Sequence, residues 1–250
     1  MNAKVRRANI DEVFNSVQGE GLYVGIRQVF VRFCGCPLTC VYCDSLRALT
    51  AGDAQNCLEG GIARPLANPI SVADLIKLLE HLWTPATEHI SLTGGEPLLH
   101  TDFITELAGS FRKPLYLETN GMLSRAAERI KNQISVAACD VKLLEHKSVR
   151  MYDMLLREEL RSIKVFYESN VDVFVKIVIT KNTEQSALAP IAQRLARIDP
   201  DIPLVLQPVT PTSTAAKPSS ELLFALMDTA GTYLNNVRAI PQVHTVLKIP

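Results

Sequence analysis

The sequence predicts an α/β protein built as a partial (βα)6-type barrel, with a parallel sheet inside and helices outside. Short runs of β-branched and aromatic residues alternate along the chain with amphipathic runs of helical length. This alternation is typical of βαβ units, and about six of them fit, fewer than the eight of a closed barrel. The chain has 250 residues, of which 47% are hydrophobic, so we expect residues 1–250 to form a single domain.

The predicted strands are short apolar runs bounded by turn-forming residues. They span residues 28–34, 88–93, 114–119, 134–141, 171–180 and 202–209. The predicted helices carry apolar residues at spacings of three and four. They span residues 71–83, 102–111, 123–132, about 150–165, 184–198 and 219–231. Ser71 fits the cap position of the first helix, and Pro190 is expected to kink the fifth helix or to delay its start.

Two stretches lie outside this pattern. Residues 46–70 include Gly60, Gly61 and two prolines but show no clear periodicity, so we expect a loop or insertion beside the functional site. The last residues, VHTVLKIP, are apolar and strand-like to the end. Because unanchored termini are usually polar and frayed, we expect Pro250 to be held in place.

Composition and charge narrow the function classes. The chain has 26 basic and 26 acidic residues, so bulk electrostatics gives no reason to expect binding to nucleic acid or to a membrane surface. The first residues lack the apolar core of a signal peptide. No stretch reaches the roughly 20 apolar residues of a membrane-spanning helix. We therefore expect a cytosolic protein.

Four cysteines lie between positions 34 and 43, directly after the first predicted strand. Cys36, Cys40 and Cys43 form a C-x3-C-x2-C pattern. A zinc site usually needs four ligands, yet the first 80 residues contain no histidine and no second C-x2-C unit. Three thiolates suit a [4Fe–4S] cluster whose fourth iron is open. A zinc module remains the alternative from the residues alone.

The other cysteines have simpler interpretations. Cys34 ends an alternating strand, so we expect it to pack beside the cysteine loop rather than to bind metal. Cys57 and Cys139 are isolated, and we expect each to be a small buried side chain.

Three polar motifs follow predicted strands, at the end where parallel barrels place their chemistry. TGGEP spans 93–97, and its two glycines let the backbone approach a ligand closely. ETNG spans 118–121 and DVK spans 140–142. As isolated motifs these are also ordinary turn sequences.

The cysteine spacing, with Tyr42 before the last cysteine, resembles the radical S-adenosylmethionine (SAM) superfamily. In that superfamily the open iron of a [4Fe–4S] cluster binds the amino and carboxylate groups of SAM. TGGEP resembles the motif that holds the methionyl amine. The resemblance therefore implies the cluster and SAM as cofactors, with the reduced cluster cleaving SAM to generate a radical.

Residues 13–45, VFNSVQGEGLYVGIRQVFVRFCGCPLTCVYCDS, closely resemble the 7-carboxy-7-deazaguanine synthase family, and the likeness extends to the final PQVHTVLKIP. It implies contraction of 6-carboxy-5,6,7,8-tetrahydropterin to 7-carboxy-7-deazaguanine with loss of ammonia, in queuosine biosynthesis. The chain departs from the family pattern at Cys34, Thr245 and the Asp140–Lys142 motif. That motif instead resembles enzymes that activate glycyl-radical proteins, which supply the alternative function.

The resemblance also assigns residues. It implies that the cluster is held by Cys36, Cys40 and Cys43, and that a magnesium ion uses Ser45. For SAM it implies Tyr42, Cys43, Asp44, Gly95, Glu96, Asp140 and Lys142. For the pterin it implies Val17, Gln18, Gly19, Arg32, Thr93 and the terminal carboxylate of Pro250. It further implies a flavodoxin-like or ferredoxin-like reductant and a homodimer.

Overall fold

The computed structural model describes residues 5–43, 56–59, 62–65 and 68–249. Its strands are β1 (Arg7–Ala8), β2 (Ile10–Val17), β3 (Arg27–Phe33), β4 (Asn56–Glu59), β5 (Ile62–Pro65), β6 (Ile70–Ser71), β7 (His89–Gly94), β8 (Leu115–Thr119), β9 (Val136–Asp140), β10 (Asp172–Ile179), β11 (Leu204–Pro208) and β12 (Val237–Ala239). Its α-helices are α1 (Val72–Leu82), α2 (Thr101–Ser110), α3 (Ser124–Ile130), α4 (Tyr152–Tyr167), α5 (Gln185–Ala196), α6 (Ser220–Gly231) and α7 (Val243–Leu247).

One eight-stranded sheet organises the protein, in the order β12-β11-β10-β9-β8-β7-β3-β2. All neighbours from β3 to β12 are parallel, and β2 joins β3 antiparallel at the edge. The six predicted strands are β3 and β7–β11, and the six predicted helices are α1–α6. The α/β prediction of a partial barrel is therefore confirmed. Pro190 lies inside α5 rather than before it.

Several segments differ from the prediction. β2 and β12 were not predicted as strands. β2 is buried on both faces and contains a register shift, so its sequence lacks a regular alternation. β12 has only three residues, too few to show a pattern. The predicted loop at 46–70 contains an antiparallel hairpin, β4–β5. The predicted strand-like tail forms the helix α7. β12 already occupies the sheet edge beside β11, so a further tail strand would need another partner.

Side-chain alternation along the strands separates the two faces of the sheet. The outer face packs against the helices in the main apolar core, which includes Leu117, Val175 and Leu206. The inner face begins with an apolar plug made of Tyr116, Val136, Ala138, Phe174 and Val205, with Leu22 and Tyr23 packed against it. Two residues further along, the same face presents Glu118, Asp140, Lys176 and Gln207. The period of two therefore places the polar cavity next to the apolar plug.

The helices are positioned by ordinary local signals. The Ser71 hydroxyl accepts a hydrogen bond from the Asp74 N–H at the start of α1, as the sequence predicted, and Ser219 caps α6 in the same way. Among the described residues, no helix has both the length and the apolar character needed to cross a membrane.

Candidate active site

A cavity of about 610 Å³ opens at the carboxyl ends of the parallel strands. Its wall has two parts with different chemistry. We call the first the cysteine side; it consists of the loop 34–43 and the segment 140–148, which line the cavity through Cys36, Leu38, Cys40, Tyr42, Cys43, Asp140 and Lys142. We call the second the charged side, formed by Gln18, Glu20, Arg32, Glu118 and Lys176.

The three cysteines of the C-x3-C-x2-C pattern all line the cavity. The loop turns through Gly35, whose φ of 90° is a backbone conformation that favours glycine, and the Cys43 N–H bonds the Cys40 carbonyl at 3.2 Å. Cys34 is 2% exposed and packs in the core, as the sequence predicted. Cys139 is also buried, whereas the side chain of Cys57 lies outside the described residues.

The three cysteines offer the thiolate ligands of an iron–sulfur cluster. Within the described residues, no three His, Cys, Asp or Glu side chains gather as ligands of one metal ion would. A [4Fe–4S] cluster makes no such demand, because each thiolate binds a different iron. Burial raises the pKa of the Cys36 thiol to about 11, so its thiolate form depends on a nearby positive centre, which bound iron supplies.

The loop is fixed to the segment after β9 by backbone hydrogen bonds. The Thr39 N–H donates to the Ser148 carbonyl at 3.0 Å, and the Val41 N–H donates to the His146 carbonyl at 3.2 Å. His146 is fully buried. Its Nδ1 accepts from the Leu143 N–H at 2.9 Å, and its Nε2 lies 3.0 Å from the Val178 carbonyl. Burial lowers the pKa of His146 to about 3, helped by the charge of Lys142.

The glycines of TGGEP bring this segment against the cysteine loop. Gly94 has a φ of 110°, and a Cβ there would lie 2.4 Å from the Phe33 carbonyl oxygen. The Gly95 N–H donates to that oxygen at 2.8 Å, and the Glu96 N–H donates to the Gly35 carbonyl at 2.7 Å. Only a residue without a side chain fits at position 94 without moving the loop. Gly94 and Gly95 both line the cavity.

Glu96 acts as a buried brace in this structure. Its carboxylate accepts hydrogen bonds from the Leu98 N–H, the Thr119 hydroxyl and the Asn120 N–H at 2.8–2.9 Å. Burial raises the pKa of Glu96 to about 7, although these hydrogen bonds act to lower it. It therefore ties the end of β7 to the end of β8. Its predicted contact with SAM remains a prediction.

Asp140, Lys142 and Tyr42 form the remaining wall of the cysteine side. The Lys142 Nζ lies 3.0 Å from Asp140 Oδ2 and 5.7 Å from the centre of the Tyr42 ring. Although burial alone would lower the pKa of Lys142, the Asp140 carboxylate holds it well above its usual value. The DVK motif therefore places a charged ammonium beside the cysteines.

Gln18, Thr93 and Glu118 form a connected group on the floor of the charged side. Glu118 accepts from the Gln18 amide at 2.8 Å and from the Thr93 hydroxyl at 2.6 Å. Burial raises the pKa of Glu118, and nearby Lys176 opposes that change. Arg32, on the inner face of β3, bonds Glu12 through Nε at 3.3 Å. The motif residues of β2, β3, β7 and β8 thus meet in one place.

A second charged group extends from Lys176. It pairs with Glu20 and lies 3.3 Å from Asp140 Oδ1. Burial would raise the pKa of Glu20, but the Lys176 ammonium prevails and lowers it to about 2. Burial alone would lower the pKa of Lys176, but the surrounding carboxylates raise it above its usual value. This network joins the charged side to Asp140 of the cysteine side.

The C-terminal segment closes the cavity. Gln242 donates to Glu20 at 2.5 Å, and the Val243 N–H donates to the Gly19 carbonyl at 2.8 Å. A Cβ on Gly19 would lie 2.2 Å from Nδ1 of His244. Position 19 therefore needs glycine because α7 packs directly on it. The tail lines the site through Gln242, His244 and Thr245 and forms a helix there. The predicted contact of Pro250 lies outside the described residues and stays a prediction.

Most predicted site residues come together. Those that line the cavity are Val17, Gln18, Gly19, Arg32, Cys36, Cys40, Tyr42, Cys43, Thr93, Gly95, Asp140 and Lys142. Asp44, Ser45 and Pro250 lie outside the described residues. The sequence interpretation did not assign Glu20, Glu118, Lys176 or His244. For Glu118 and Lys176 a signal existed: each is a charged residue beside apolar residues within a strand, at an inward-facing position.

Comparison with known proteins is consistent with this geometry. The model of the radical SAM superfamily matches residues 30–192. A protein of Methanocaldococcus jannaschii named 7-carboxy-7-deazaguanine synthase is 38% identical over 95% of this chain and 98% of its own. A Geobacter sulfurreducens protein of the same name is 35% identical over 95% and 96%.

Two solved structures show the same fold. The crystal structure of QueE from Escherichia coli aligns over 95% of each chain, with a TM-score of 0.58 and 20% identity. The Streptococcus suis protein SuiB, solved with S-adenosylmethionine, aligns over 82% of this chain and 48% of its own, with a TM-score of 0.56 and 16% identity.

Proposed function

Because the chain belongs to the 7-carboxy-7-deazaguanine synthase family of the radical SAM superfamily, we propose that it carries out this ring contraction. The substrate is 6-carboxy-5,6,7,8-tetrahydropterin, ammonia is lost, and the product enters 7-deazapurine and queuosine biosynthesis. The observation that carries the proposal is one cavity with three cysteines at one side and a buried array of polar groups at the other. The family also implies a [4Fe–4S] cluster and SAM as cofactors.

The cysteine side suits the cofactors. Cys36, Cys40 and Cys43 would hold the cluster, which together with SAM supplies a hydrogen-abstracting carbon radical. Tyr42 and Gly95 line the space beside the cysteines, where SAM would lie, and Lys142 offers a cation for a carboxylate. The protein's own contribution is to fix these groups and to exclude other hydrogen donors.

The charged side suits a carboxylated pterin. Arg32 is held at Nε by Glu12 and presents a guanidinium to the cavity, where it can bind the substrate carboxylate. Gln18, Thr93 and Glu118 place amide, hydroxyl and carboxyl groups on the floor. Such a row of donors and acceptors matches the rim of a pterin ring. A 610 Å³ cavity closed by the tail suits a small molecule better than the protein segment that a glycyl-radical activase must admit.

The test is anaerobic incubation of the cluster-loaded protein with SAM, dithionite and the carboxypterin. We expect formation of the deazaguanine, detected by chromatography and mass spectrometry. The Cys40→Ala variant is the matched control and should form none. A fully loaded wild-type protein that cleaves SAM but leaves the carboxypterin unchanged would refute the proposed substrate.

A magnesium ion and the chain terminus are further proposed parts of the site. The family resemblance places a Mg²⁺ ion on the hydroxyl of Ser45, where a hard cation would join the substrate carboxylate. Full activity after thorough chelation would remove the ion from the reaction.

The terminal carboxylate of Pro250 would bind the 2-amino-pyrimidinone edge of the pterin through two parallel hydrogen bonds. A short polar extension after Pro250 should raise KM and leave iron content unchanged. An unchanged kcat/KM would show that the terminus has no such role.

We also propose a flavodoxin-like or ferredoxin-like electron donor. The outer surface of the cysteine loop exposes Pro37, Thr39 and Val41, and Lys147 and Arg150 are exposed on the segment beside it. An acidic electron carrier is complementary to these charges. The double variant K147E/R150E should slow turnover with a protein donor but not with dithionite. Equal rates with both donors would exclude this surface.

The family resemblance further implies a homodimer in the cytoplasm. Light scattering of the purified protein tests the first of these, and a molar mass of one chain at micromolar concentration would contradict it. Fractionation of cells tests the second.

A further inference from the structure

A buried hydroxyl lies against one of the predicted cluster ligands. The Oγ atom of Ser148 is 3.0 Å from the Sγ atom of Cys40, and Ser148 is 5% exposed. Free thiol and hydroxyl groups could each donate in this pair. A cysteine that binds iron has lost its proton, so the hydroxyl must then be the donor.

The position of Ser148 is fixed from several directions. Its own carbonyl accepts from the Thr39 N–H, next to Cys40 in the loop. Two residues earlier, the His146 carbonyl accepts from the Val41 N–H on the other side of Cys40. His146 itself is held by Leu143 and Val178. Cys40 is therefore enclosed by two backbone hydrogen bonds that align the Ser148 hydroxyl with its sulfur.

A second donor faces another ligand. Nδ2 of Asn120 lies 3.6 Å from Sγ of Cys36. The amide orientation is set because Oδ1 accepts from the Met122 N–H at 3.0 Å. The Asn120 N–H donates to the Glu96 brace at 2.8 Å. The amide nitrogen, and not the oxygen, therefore faces the thiolate.

We propose that Ser148 and Asn120 raise the reduction potential of the cluster by donating hydrogen bonds to the Cys40 and Cys36 thiolates. Reduction adds an electron to a cluster that is already held by anions. A donor aimed at a ligating sulfur stabilises the added negative charge, and hydrogen bonds to sulfur are among the factors that set cluster potentials. Both are positioning residues that act through the ligands. The inference rests on the proposed function, because it requires the cluster.

The test compares variants that remove or retain a hydrogen-bond donor. Ser148→Ala removes the hydroxyl, and Ser148→Thr retains one. Asn120→Asp keeps the oxygen that accepts from Met122 but replaces the donor nitrogen by an oxygen and adds a negative charge, which also lowers the potential. The Ser148 variants therefore measure the hydrogen bond itself. Each protein is loaded anaerobically, its iron is counted, and the reduced cluster is followed by electron paramagnetic resonance in a potentiometric titration.

We expect a more negative midpoint potential for Ser148→Ala, with the ratio of reduced to oxidised cluster at one applied potential falling by about three- to tenfold, as loss of one hydrogen bond predicts. Ser148→Thr should restore most of this ratio. Asn120→Asp should shift the potential in the same direction. The midpoint is measured on the loaded fraction, so incomplete loading does not obscure it.

Unchanged midpoints in Ser148→Ala and Asn120→Asp would overturn the inference, as would complete loss of the cluster in a folded Ser148→Ala protein, since a residue that adjusts the potential is dispensable for assembly. A wild-type protein that binds no cluster would instead refute the proposed function.

Discussion

The cysteine side and the charged side of the cavity are stabilised in different ways. On the cysteine side, backbone hydrogen bonds from Thr39 and Val41 and a neutral, buried His146 hold the loop in place. On the charged side, Glu20 and Lys176 form a buried ion pair, and the C-terminal segment attaches to it through Gln242. The first arrangement depends on the backbone, and the second depends on charges that must remain balanced. We therefore expect changes to the two sides to affect different measurements.

The largest effect is expected from the cysteines. Replacing Cys36, Cys40 or Cys43 by alanine should abolish iron binding and activity together, because an open-iron cluster has no spare protein ligand. Cys34→Ala is the control, since Cys34 is buried in the core. Iron and sulfide analysis after anaerobic reconstitution checks this. Equal iron loss in Cys34→Ala and Cys40→Ala would contradict the assignment.

The next effect should appear on the charged side and spare the cluster. Lys176→Met leaves Glu20 and Asp140 without their shared cation, and breaking a buried pair from one side costs about 3–5 kcal/mol. Urea unfolding of the cluster-free protein measures the loss. The double variant E20Q/K176M should recover part of it, while iron content after loading stays unchanged in both. A double variant less stable than K176M would show that the pair is not the cause.

A smaller effect is expected at His146 on the cysteine side, where the free energy of unfolding should depend on pH. Folded His146 stays neutral because its pKa is lowered to about 3 from an ordinary 6.5. Below pH 6.5 the unfolded chain binds a proton that the folded chain does not, so stability falls as pH falls. Between pH 7 and 5 the wild type should lose about 2 kcal/mol relative to His146→Gln. Urea unfolding at both pH values tests this, and equal losses would contradict it.

The smallest effect should come from the contact between the tail and the loop after β2. A methyl group on Gly19 would overlap His244, and overpacking of this kind costs about 1–3 kcal/mol. Gly19→Ala should therefore displace the tail and raise KM for the carboxypterin roughly tenfold, with normal iron content. Gly109→Ala is the control, because nothing lies within 4 Å of its added Cβ. If both variants keep the wild-type KM, the tail does not close the site.

The sequence predicted the parts of the molecule that depend on local pattern. Periodicity located β3, β7–β11 and α1–α6, and strand ends located the cysteine loop and TGGEP. The ion pair between Glu20 and Lys176 joins positions 156 residues apart, and no local pattern records such a pairing. The brace formed by Glu96 was missed for a related reason. Two of its three partners, Thr119 and Asn120, lie at the end of β8, 23 and 24 positions away, and a motif alone does not show which way a carboxylate points.

The attachment of Gln242 to Glu20 spans 222 positions, and this has a consequence for biosynthesis. Most groups that hold the cysteine loop precede residue 150. Val178 and Thr214, whose hydroxyl donates to the Val41 carbonyl at 2.7 Å, come later but still precede the tail. During translation the cysteine loop and most of its supports leave the ribosome while the closing tail is still unmade. The part of the cavity wall that Gln242 and His244 supply is therefore synthesised last.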